Sequence, residues 1–199
     1  MYLFDPIRDL PQLLIDGTRR AESRLRVLRF ASPYATTATI QVAWRKQVSD
    51  RILAGSLQVQ KLEIVYELPR LQELLANILR YDMMHYQVKI ACPGLKHVAP
   101  FMGSYFFDER EFLLGAYWTQ IPPTGQPCIR FTGEPYASFF NSYWAEVWKR
   151  ERLANPRGGH DLSVVQEAAF ALGLPRRRWK SFVAEAKRYE VGDGAPPLI

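Results

Sequence analysis

Cysteine and histidine are scarce in this chain, which has two cysteines and three histidines among 199 residues. Cys92 and Cys128 cannot form the several cross-links that hold a small secreted domain together. A metal site needs clustered ligands, and the histidines, cysteines and carboxylates are scattered along the sequence. We therefore predict no metal, no cofactor and a reducing, cytoplasmic environment.

Long apolar runs and glycine-rich nucleotide loops are also missing. No run approaches the roughly 20 apolar residues that span a bilayer. The opening MYLFDPIRDL is acidic where a signal peptide has a basic start. The patterns GxxxxGKS/T, GxGxxG and GxSxG do not occur, which argues against a P-loop, a dinucleotide fold and a nucleophile elbow.

Apolar residues make up 48% of the chain, enough for a folded core, and the net charge of +6 favours an anionic partner. Apolar periodicity predicts helices over 9–24, 39–53 and 71–81. It predicts strands over 25–30, 61–67, 87–92 and 128–131. This order favours a mixed sheet flanked by helices, in the α/β class.

The stretch PFMGSYFFDEREFLLGAYWT, residues 100–119, predicts a hairpin in which apolar strands 102–107 and 112–117 flank a charged turn. Asp108 is followed by six residues and then by Gly115. This spacing resembles the core hairpin of the phospholipase D-like superfamily, in which His-x-Lys-x4-Asp is followed six residues later by Gly-Ser-x-Asn. The resemblance implies the fold of one phospholipase D-like half, present here as a single copy.

The reactive positions of that motif are substituted in this chain. The family's His falls at Phe101, its Lys at Gly103, its Ser at Ala116 and its Asn at Trp118. In the family the His is the nucleophile and the Lys balances the phosphate charge, and neither phenylalanine nor glycine has a side chain for these roles. We therefore predict no catalytic residues and a pseudoenzyme.

The resemblance also implies a vestigial cleft that would hold a small anionic ligand. The residues predicted to bind this ligand are Lys96, His97, Ser104, Asp108 and Tyr117. A different interpretation is a divergent nuclease or phosphodiesterase that has rebuilt its site from Lys96, His97 and Asp108. Single-copy members of the family pair their clefts, so the resemblance further implies a homodimer.

An aromatic helix is predicted to begin at Glu134-Pro135. One half of its helical wheel contains Tyr136, Phe139, Phe140, Tyr143, Trp144, Val147 and Trp148. We predict that this half packs on the sheet, although six aromatic side chains on one face also suit stacking on bases or contact with lipid.

The composition changes after residue 153. We predict a main domain over 1–153, a linker over 154–160, a basic helical hairpin over 161–190 and a flexible tail over 191–199. From Lys149 onward there are ten Lys or Arg and six Asp or Glu. Asp161 is predicted to cap the first helix of the hairpin, and Gly173 to end it.

The hairpin resembles a helix-turn-helix, which favours Ala four residues before the turn Gly and apolar residues six and nine after it. The matching residues are Ala169, Gly173, Trp179 and Phe182. Its second helix would present Arg176, Arg177, Arg178 and Lys180 to nucleic acid. The third helix of such a module would have to come from 144–152. The alternative is a hairpin that docks on protein and leaves its arginines solvated.

Together these features predict a non-catalytic sensing or interaction module, a regulatory subunit that binds a protein partner, an anionic ligand or nucleic acid. The active nuclease or phosphodiesterase is one alternative. A purely structural subunit of a larger assembly is the other.

Overall fold

The computed structural model describes residues 2–4, 10–30, 39–91, 103–115 and 128–188. Its α-helices are α1 (Leu10–Arg20), α2 (Thr39–Leu53), α3 (Leu68–Arg80), α4 (Glu134–Arg150), α5 (Ser163–Ala171) and α6 (Trp179–Lys187). Its strands are β1 (Tyr2–Phe4), β2 (Arg24–Phe30), β3 (Gln58–Ile64), β4 (Tyr86–Ala91), β5 (Gly103–Phe107), β6 (Glu111–Gly115), β7 (Cys128–Thr132) and β8 (Pro156–Gly159). Among the helices in these ranges, none combines the length and apolar content needed to cross a membrane.

Seven strands form one mixed sheet in the order β1-β7-β6-β5-β2-β3-β4. β2, β3 and β4 are parallel, and α2 and α3 connect them, since parallel neighbours need a crossover. β5, β6, β7 and β1 continue the sheet through antiparallel pairs. This confirms the predicted mixed sheet flanked by helices.

β3 spans Gln58–Ile64 rather than the predicted residues 61–67. Its parallel register with β2 starts at the pair Arg24–Gln58, so Val59 lies beside Leu25 and both are fully buried. The strand ends at Ile64 because the chain turns into α3, which has Pro69 in its first turn.

Each face of the sheet has its own core. Helices α1, α2, α3, α5 and α6 cover one face, called here the five-helix face. α4 covers the other, called here the α4 face. Successive residues of β2 alternate between them, so Val27 faces the five helices and Leu28 faces α4. Gly17 permits the close approach of α1 to the sheet, because a Cβ there would lie 2.6 Å from the ring of Phe107.

α4 buries a narrower stripe than the aromatic half predicted from its wheel. Phe140, Trp144 and Val147 are buried, which confirms packing on the sheet for these residues. Phe139 is 65% exposed and Tyr136 is 40% exposed. Phe139 lies about 100° around the helix from Phe140, and therefore falls beside the buried stripe rather than in it.

Residues 154–160, predicted to be a linker, are held against the edge strand β4. Asn155 is fully buried, and its side-chain amide donates to the Tyr86 carbonyl oxygen at 2.7 Å. Its Oδ1 accepts from the Val88 N–H at 3.0 Å, and Leu153 forms an antiparallel bridge with Lys89. These bonds cover backbone groups that an edge strand would otherwise leave unpaired, so this segment is not a free linker.

The sequence analysis expected the third helix of this module to come from residues 144–152. The structure corrects this, because α5 and α6 pack on α3. Ala169 and Phe182 are buried in the core of the five-helix face, together with Leu71 of α3. Trp144 lies in the core of the α4 face, on the other side of the sheet. The helix pair therefore shares a core with the sheet.

We predict that Trp144→Ala lowers the free energy of unfolding by about 3–5 kcal/mol, because it empties the centre of the α4 face. Trp144 is 2% exposed, and its ring centroid lies 5.5 Å from that of Phe106 and 5.2 Å from that of Trp148. Urea unfolding measures the loss. Phe139→Ala on the same helix is the control and should change stability by about 0.5 kcal/mol or less. Equal losses in the two variants would contradict the assignment of the faces.

Candidate functional site

The hairpin with the motif spacing forms as β5 and β6, joined by a turn over residues 108–110. Gly103 pairs with Gly115, and Phe107 pairs with Glu111. Asp108 and Glu109 have φ values of 46° and 64°, which place both in the left-handed region. Asp tolerates this region better than most residues, which suits Asp108 to the first turn position.

The open end of this hairpin and its turn lie at opposite ends of the sheet's strands. β2, β3 and β4 end at Phe30, Ile64 and Ala91, at one edge that we call the carboxyl edge. β5 runs antiparallel to β2, so it begins at the carboxyl edge with Gly103 and ends at the opposite edge. Asp108 is at that opposite edge, where its N–H donates to the Arg24 carbonyl oxygen at 3.0 Å.

The carboxylate of Asp108 is used within the fold. It accepts from the backbone N–H groups of Glu22, Ser23 and Arg24, the last at 2.8 Å, and thereby fixes the connection between α1 and β2. Burial works to raise the pKa of Asp108, but these backbone hydrogen bonds lower it overall. The side chain is a structural cap.

The other predicted ligand-binding residues do not join Asp108. Ser104 is fully buried on the α4 face, where it pairs with Leu28 and Leu114. It lies four residues from Asp108, or about 13 Å along an extended strand. Lys96, His97 and Tyr117 fall outside the described residues. We therefore correct the predicted cleft for Ser104 and Asp108, which do not share a site.

One of the four substituted motif positions lies within the described residues. Gly103, at the position of the motif's Lys, begins β5 at the carboxyl edge. The other three motif positions lie outside the described residues and are occupied by Phe101, Ala116 and Trp118.

Sequence reasoning missed a group of charged side chains on the five-helix face near the carboxyl edge. Its members, called here the charge cluster, are Arg29, Arg45, Lys61, Glu63, Arg70 and Glu73. Lys61 and Glu63 are fully buried, and Lys61 Nζ lies 2.7 Å from Glu63 Oε2. Arg70 Nη2 donates to the same oxygen at 2.8 Å, and Arg70 Nε donates to Oε1. Arg70 also binds Glu73.

The electrostatics of the charge cluster follow from these contacts. Burial alone would raise the pKa of Glu63, but Arg70 and Lys61 lower it overall, so the carboxylate stays charged. Burial lowers the pKa of Arg45 to about 10, and the cations Arg29 and Arg70 act in the same direction.

Lys61 and Glu63 alternate with Leu62 and Ile64, the pattern of a half-exposed strand. The burial of Lys61 and Glu63 could have been predicted from the position of β3 in the sheet. β3 lies between β2 and β4 with crossover helices above it, and a central parallel strand buries both faces.

The C-terminal pair forms a second candidate surface. α5 ends in a turn where Gly173 has φ of 90°, and the Leu174 N–H donates to the Ala169 carbonyl oxygen at 2.9 Å. Asp161 Oδ1 accepts from the Ser163 N–H at 3.1 Å, but Asp161 precedes the N-cap residue, which is Leu162 and makes no side-chain cap. A single 3-10 turn, Arg176–Arg178, then leads into α6.

The four predicted nucleic-acid-binding residues are all exposed at this turn and the start of α6: Arg176, Arg177, Arg178 and Lys180. Arg176 lies over the ring of Phe170, with its Cζ 5.7 Å from the centroid. Arg178 lies 3.9 Å from Glu185. Arg177 and Arg178 also border a groove of about 350 Å³ between the turn and α3, with Leu68, Pro69 and Phe182 in its wall.

Within the described ranges, no group of three or more His, Cys, Asp or Glu residues is arranged to hold a metal ion.

Solved structures with similar folds come from bacteria and archaea. TrmBL2, an archaeal chromatin protein with a novel mode of DNA binding, matches with a TM-score of 0.54 and 10% identity over 76% of this chain and 53% of its own. NucT from Helicobacter pylori matches at 0.51 and 13% identity over 75% and 96%. Phosphatidylserine synthase from Haemophilus influenzae Rd KW20 matches at 0.52 and 11% identity over 90% and 44%.

These likenesses establish the fold. At these identities the likeness shows the fold alone, which is phospholipase D-like. The chain spans about half the length of the archaeal chromatin protein. No family model and no curated protein sequence matches the chain.

We predict that Asp108→Asn lowers the free energy of unfolding at neutral pH by about 1–2 kcal/mol, because a charged acceptor of three backbone N–H groups is lost. Since the pKa of Asp108 is lowered in the folded state, its stabilisation is present above the ordinary aspartate pKa of about 4. It is lost as pH falls through the lowered value. The gap between wild type and variant should therefore close in acid, as urea unfolding at several pH values would show.

Asp82→Asn is the matched control, because Asp82 Oδ1 accepts from one backbone N–H, that of Met84 at 2.7 Å. It should cost less than Asp108→Asn. A loss at Asp108 no larger than at Asp82 would show that the cap does not stabilise the hairpin.

Proposed function

We propose that this chain is a non-catalytic, regulatory phospholipase D-like module that binds duplex nucleic acid through the turn and start of α6. The observation that supports the proposal is a helix pair in which Ala169, Gly173 and Phe182 have the burial or turn conformation that a helix-turn-helix would require, while its basic residues are exposed. Ala169 is fully buried, Gly173 has the left-handed turn conformation, and Phe182 is 6% exposed. A recognition helix meets phosphates and base edges with its N-terminal residues, which here are Arg176 to Lys180.

The support of α3 favours this proposal over an isolated hairpin. The Gln72 side chain on α3 donates to Glu185 Oε2 at 3.0 Å and to the Phe182 carbonyl oxygen at 3.4 Å. These bonds fix the orientation of α6 relative to the sheet. A fixed helix presents its charges in one geometry, which lowers the conformational entropy lost on binding.

The fold comparison adds a precedent of a limited kind. A similar fold occurs in an archaeal chromatin protein that binds DNA by a novel mode. At 10% identity this likeness concerns the fold alone. The support for nucleic-acid binding comes instead from the basic residues at the turn and at the start of α6.

The absence of catalysis is part of the proposal. The motif's His and Lys positions hold Phe101 and Gly103, and the carboxylate of Asp108 caps the α1–β2 connection. No residue of the described site provides a nucleophile for phosphorus. Pairing with a second copy or another protein, and residence in the cytoplasm, remain predictions.

A second candidate function is docking on a protein through the groove beside α6. The groove of about 350 Å³ has apolar walls from Leu68, Pro69, Leu174 and Phe182, and Arg177 and Arg178 at its border. An acidic, apolar segment of a partner would fit this chemistry. Such a partner would contact Arg177 and Arg178 at the groove. The experiment below substitutes Arg176 and Lys180, which do not line the groove, and thereby separates the two functions.

We predict salt-sensitive binding of the full chain to duplex DNA. Each phosphate contact releases counterions, so the affinity falls as a power of salt concentration. Arg176→Ala with Lys180→Ala, two exposed residues four positions apart, should weaken binding and reduce the slope of log affinity against log salt by about 2. Fluorescence anisotropy with a labelled duplex between low and physiological salt measures both quantities.

The control is Lys149→Ala with Arg150→Ala, which removes the same charge from exposed positions at the end of α4. It should leave the slope nearly unchanged. Equal weakening by both double variants would show that binding depends on the net charge of the chain and not on the turn and the start of α6. No binding at low salt would exclude the nucleic-acid interface and favour the groove as a protein-docking site.

We also predict no phosphodiesterase turnover on nucleic acid or phospholipid. The purified chain should show no cleavage of plasmid DNA, RNA or a chromogenic phosphodiester above the buffer background. Cleavage that disappears in His97→Ala would overturn the non-catalytic proposal and support the divergent hydrolase. A preparation that still cleaves after this substitution would point to a contaminant, which a second purification step would remove.

A further inference from the structure

The half of α4 that points away from the sheet is exposed along the whole length of the helix. Phe140, Trp144 and Val147 pack on the sheet, and the outward residues lie on the opposite side of the helix. Among the described helices, α4 alone contributes to the core of the α4 face. The outward residues, called here the outer face, are all exposed: Pro135, Ser138, Phe139, Ser142, Ala145, Glu146 and Lys149.

An aromatic stripe runs along one margin of the outer face. Phe139 is 65% exposed and Tyr136 is 40% exposed, and the partly exposed Tyr143 continues the stripe by one turn. Their spacing of three and four residues makes them neighbours on the helix surface. Ser142 and Ala145, which lie beside them, have small side chains. The helix therefore presents both a projecting side chain and the space into which such a side chain packs between two helices.

α4 carries no net charge, although the chain as a whole is basic. The helix contains two acids and two bases, whereas the net charge of the chain is +6. Two copies of a chain with this net charge repel each other, and the repulsion is weakest between surfaces that are neutral. The outer face is therefore electrostatically suited to meet a second copy.

The charges of α4 are also ordered along its axis. Glu134 is its first residue and Arg150 is its last. Glu146 and Lys149 pair with each other at 3.0 Å, whereas neither Glu134 nor Arg150 has an ion pair among the described residues. A second copy of the helix in the antiparallel direction would bring Glu134 to Arg150 at both ends. A parallel copy would bring like charges together.

We propose that the outer face of α4 is an interface between two copies of this chain, in which the two helices pack antiparallel about a two-fold axis beside Ser142. Residues equally far from Ser142 in opposite directions then meet. Phe139 contacts Ala145 of the partner subunit, and Glu134 pairs with Arg150 of the partner subunit. Each contact occurs twice, because a two-fold interface uses the same surface on both copies.

This inference does not require the nucleic-acid interface, because α4 and α6 lie on opposite sides of the sheet. Both basic surfaces stay exposed in the proposed dimer. The two proposals can therefore fail independently, and the oligomeric state is measured without nucleic acid.

The test measures the mass of the full chain by sedimentation velocity and light scattering across the micromolar range. Wild type should form a dimer. Phe139→Asp should raise the dissociation constant by about 30-fold or more, because it removes the central aromatic contact twice. Leu53→Asp is the matched control, since Leu53 is 57% exposed on α2, and it should dimerise like wild type.

Charge reversal tests the antiparallel direction. Glu134→Arg and Arg150→Glu should each raise the dissociation constant by about 10-fold at low ionic strength, because each places like charges together at both ends. The two substitutions combined should restore dimerisation to near the wild-type value. Both reversals oppose the dipole of α4 itself, so an effect that acted through helix stability would instead be largest in the double variant.

A cysteine at the two-fold axis tests the position of the interface. Ser142→Cys should form a disulfide between two copies under mild oxidation, because antiparallel helices about 8–10 Å apart bring the two facing Cα atoms within bonding range. Ser181→Cys, at an exposed position of α6, is the control and should not cross-link. Both variants are made with Cys92→Ser, and the remaining Cys128 is buried.

Three results would overturn the inference. Wild type that remains a monomer throughout the micromolar range would exclude the interface. A dimer that survives Phe139→Asp and both single charge reversals would place the contact on another surface. A monomer that binds vesicles of anionic phospholipid, and loses this binding in Phe139→Asp, would assign the aromatic stripe to lipid.

Discussion

The ion pair between Arg70 and Glu63 is the contact on which the rest of the five-helix face depends. It joins the first turn of α3 to the C-terminal end of β3 through two parallel hydrogen bonds inside the core. Because both groups are buried, removing either one would leave an uncompensated charge, at a cost of about 3–5 kcal/mol. The pair therefore fixes where α3 lies, and α3 in turn supports α5 and α6.

One element thus connects the two surfaces of this chain. Arg70 on α3 belongs to the charge cluster, and Gln72, two residues later, bonds α6. Residues two apart on a helix point in different directions, so the same turn can contact the sheet with one side chain and the C-terminal helix with the other. α3 therefore positions the exposed arginines at α6, and the ion pair of Arg70 with Glu63 holds α3 on the sheet.

The sequence predicted the order of elements well, because crossover helices and apolar strands leave different periodicities. It predicted Ala169, Gly173 and Phe182 as the framework of the helix pair for the same reason, since turn chemistry and burial are local. It failed for Asn155, whose run Asn-Pro-Arg-Gly-Gly has the composition of a linker. Two specific bonds to β4 hold it, and no local pattern reports the presence of an edge strand.

Burial on both faces of β3 explains why the charge cluster was hidden from sequence reasoning. Lys61 and Glu63 occupy alternate positions, and that pattern is shared by a solvated strand face and by a buried ion pair on a covered one. The two cases differ in whether helices cover the strand, and in this chain α2 and α3 cover it.

The position of Asp108 in the sheet likewise decides its role, although its place in the motif suggested a cleft. The antiparallel course of β5 carries it to the opposite edge, where three backbone N–H groups need an acceptor. A motif spacing therefore preserves the hairpin of a fold, whereas the chemistry at each position depends on which edge of the sheet the residue reaches.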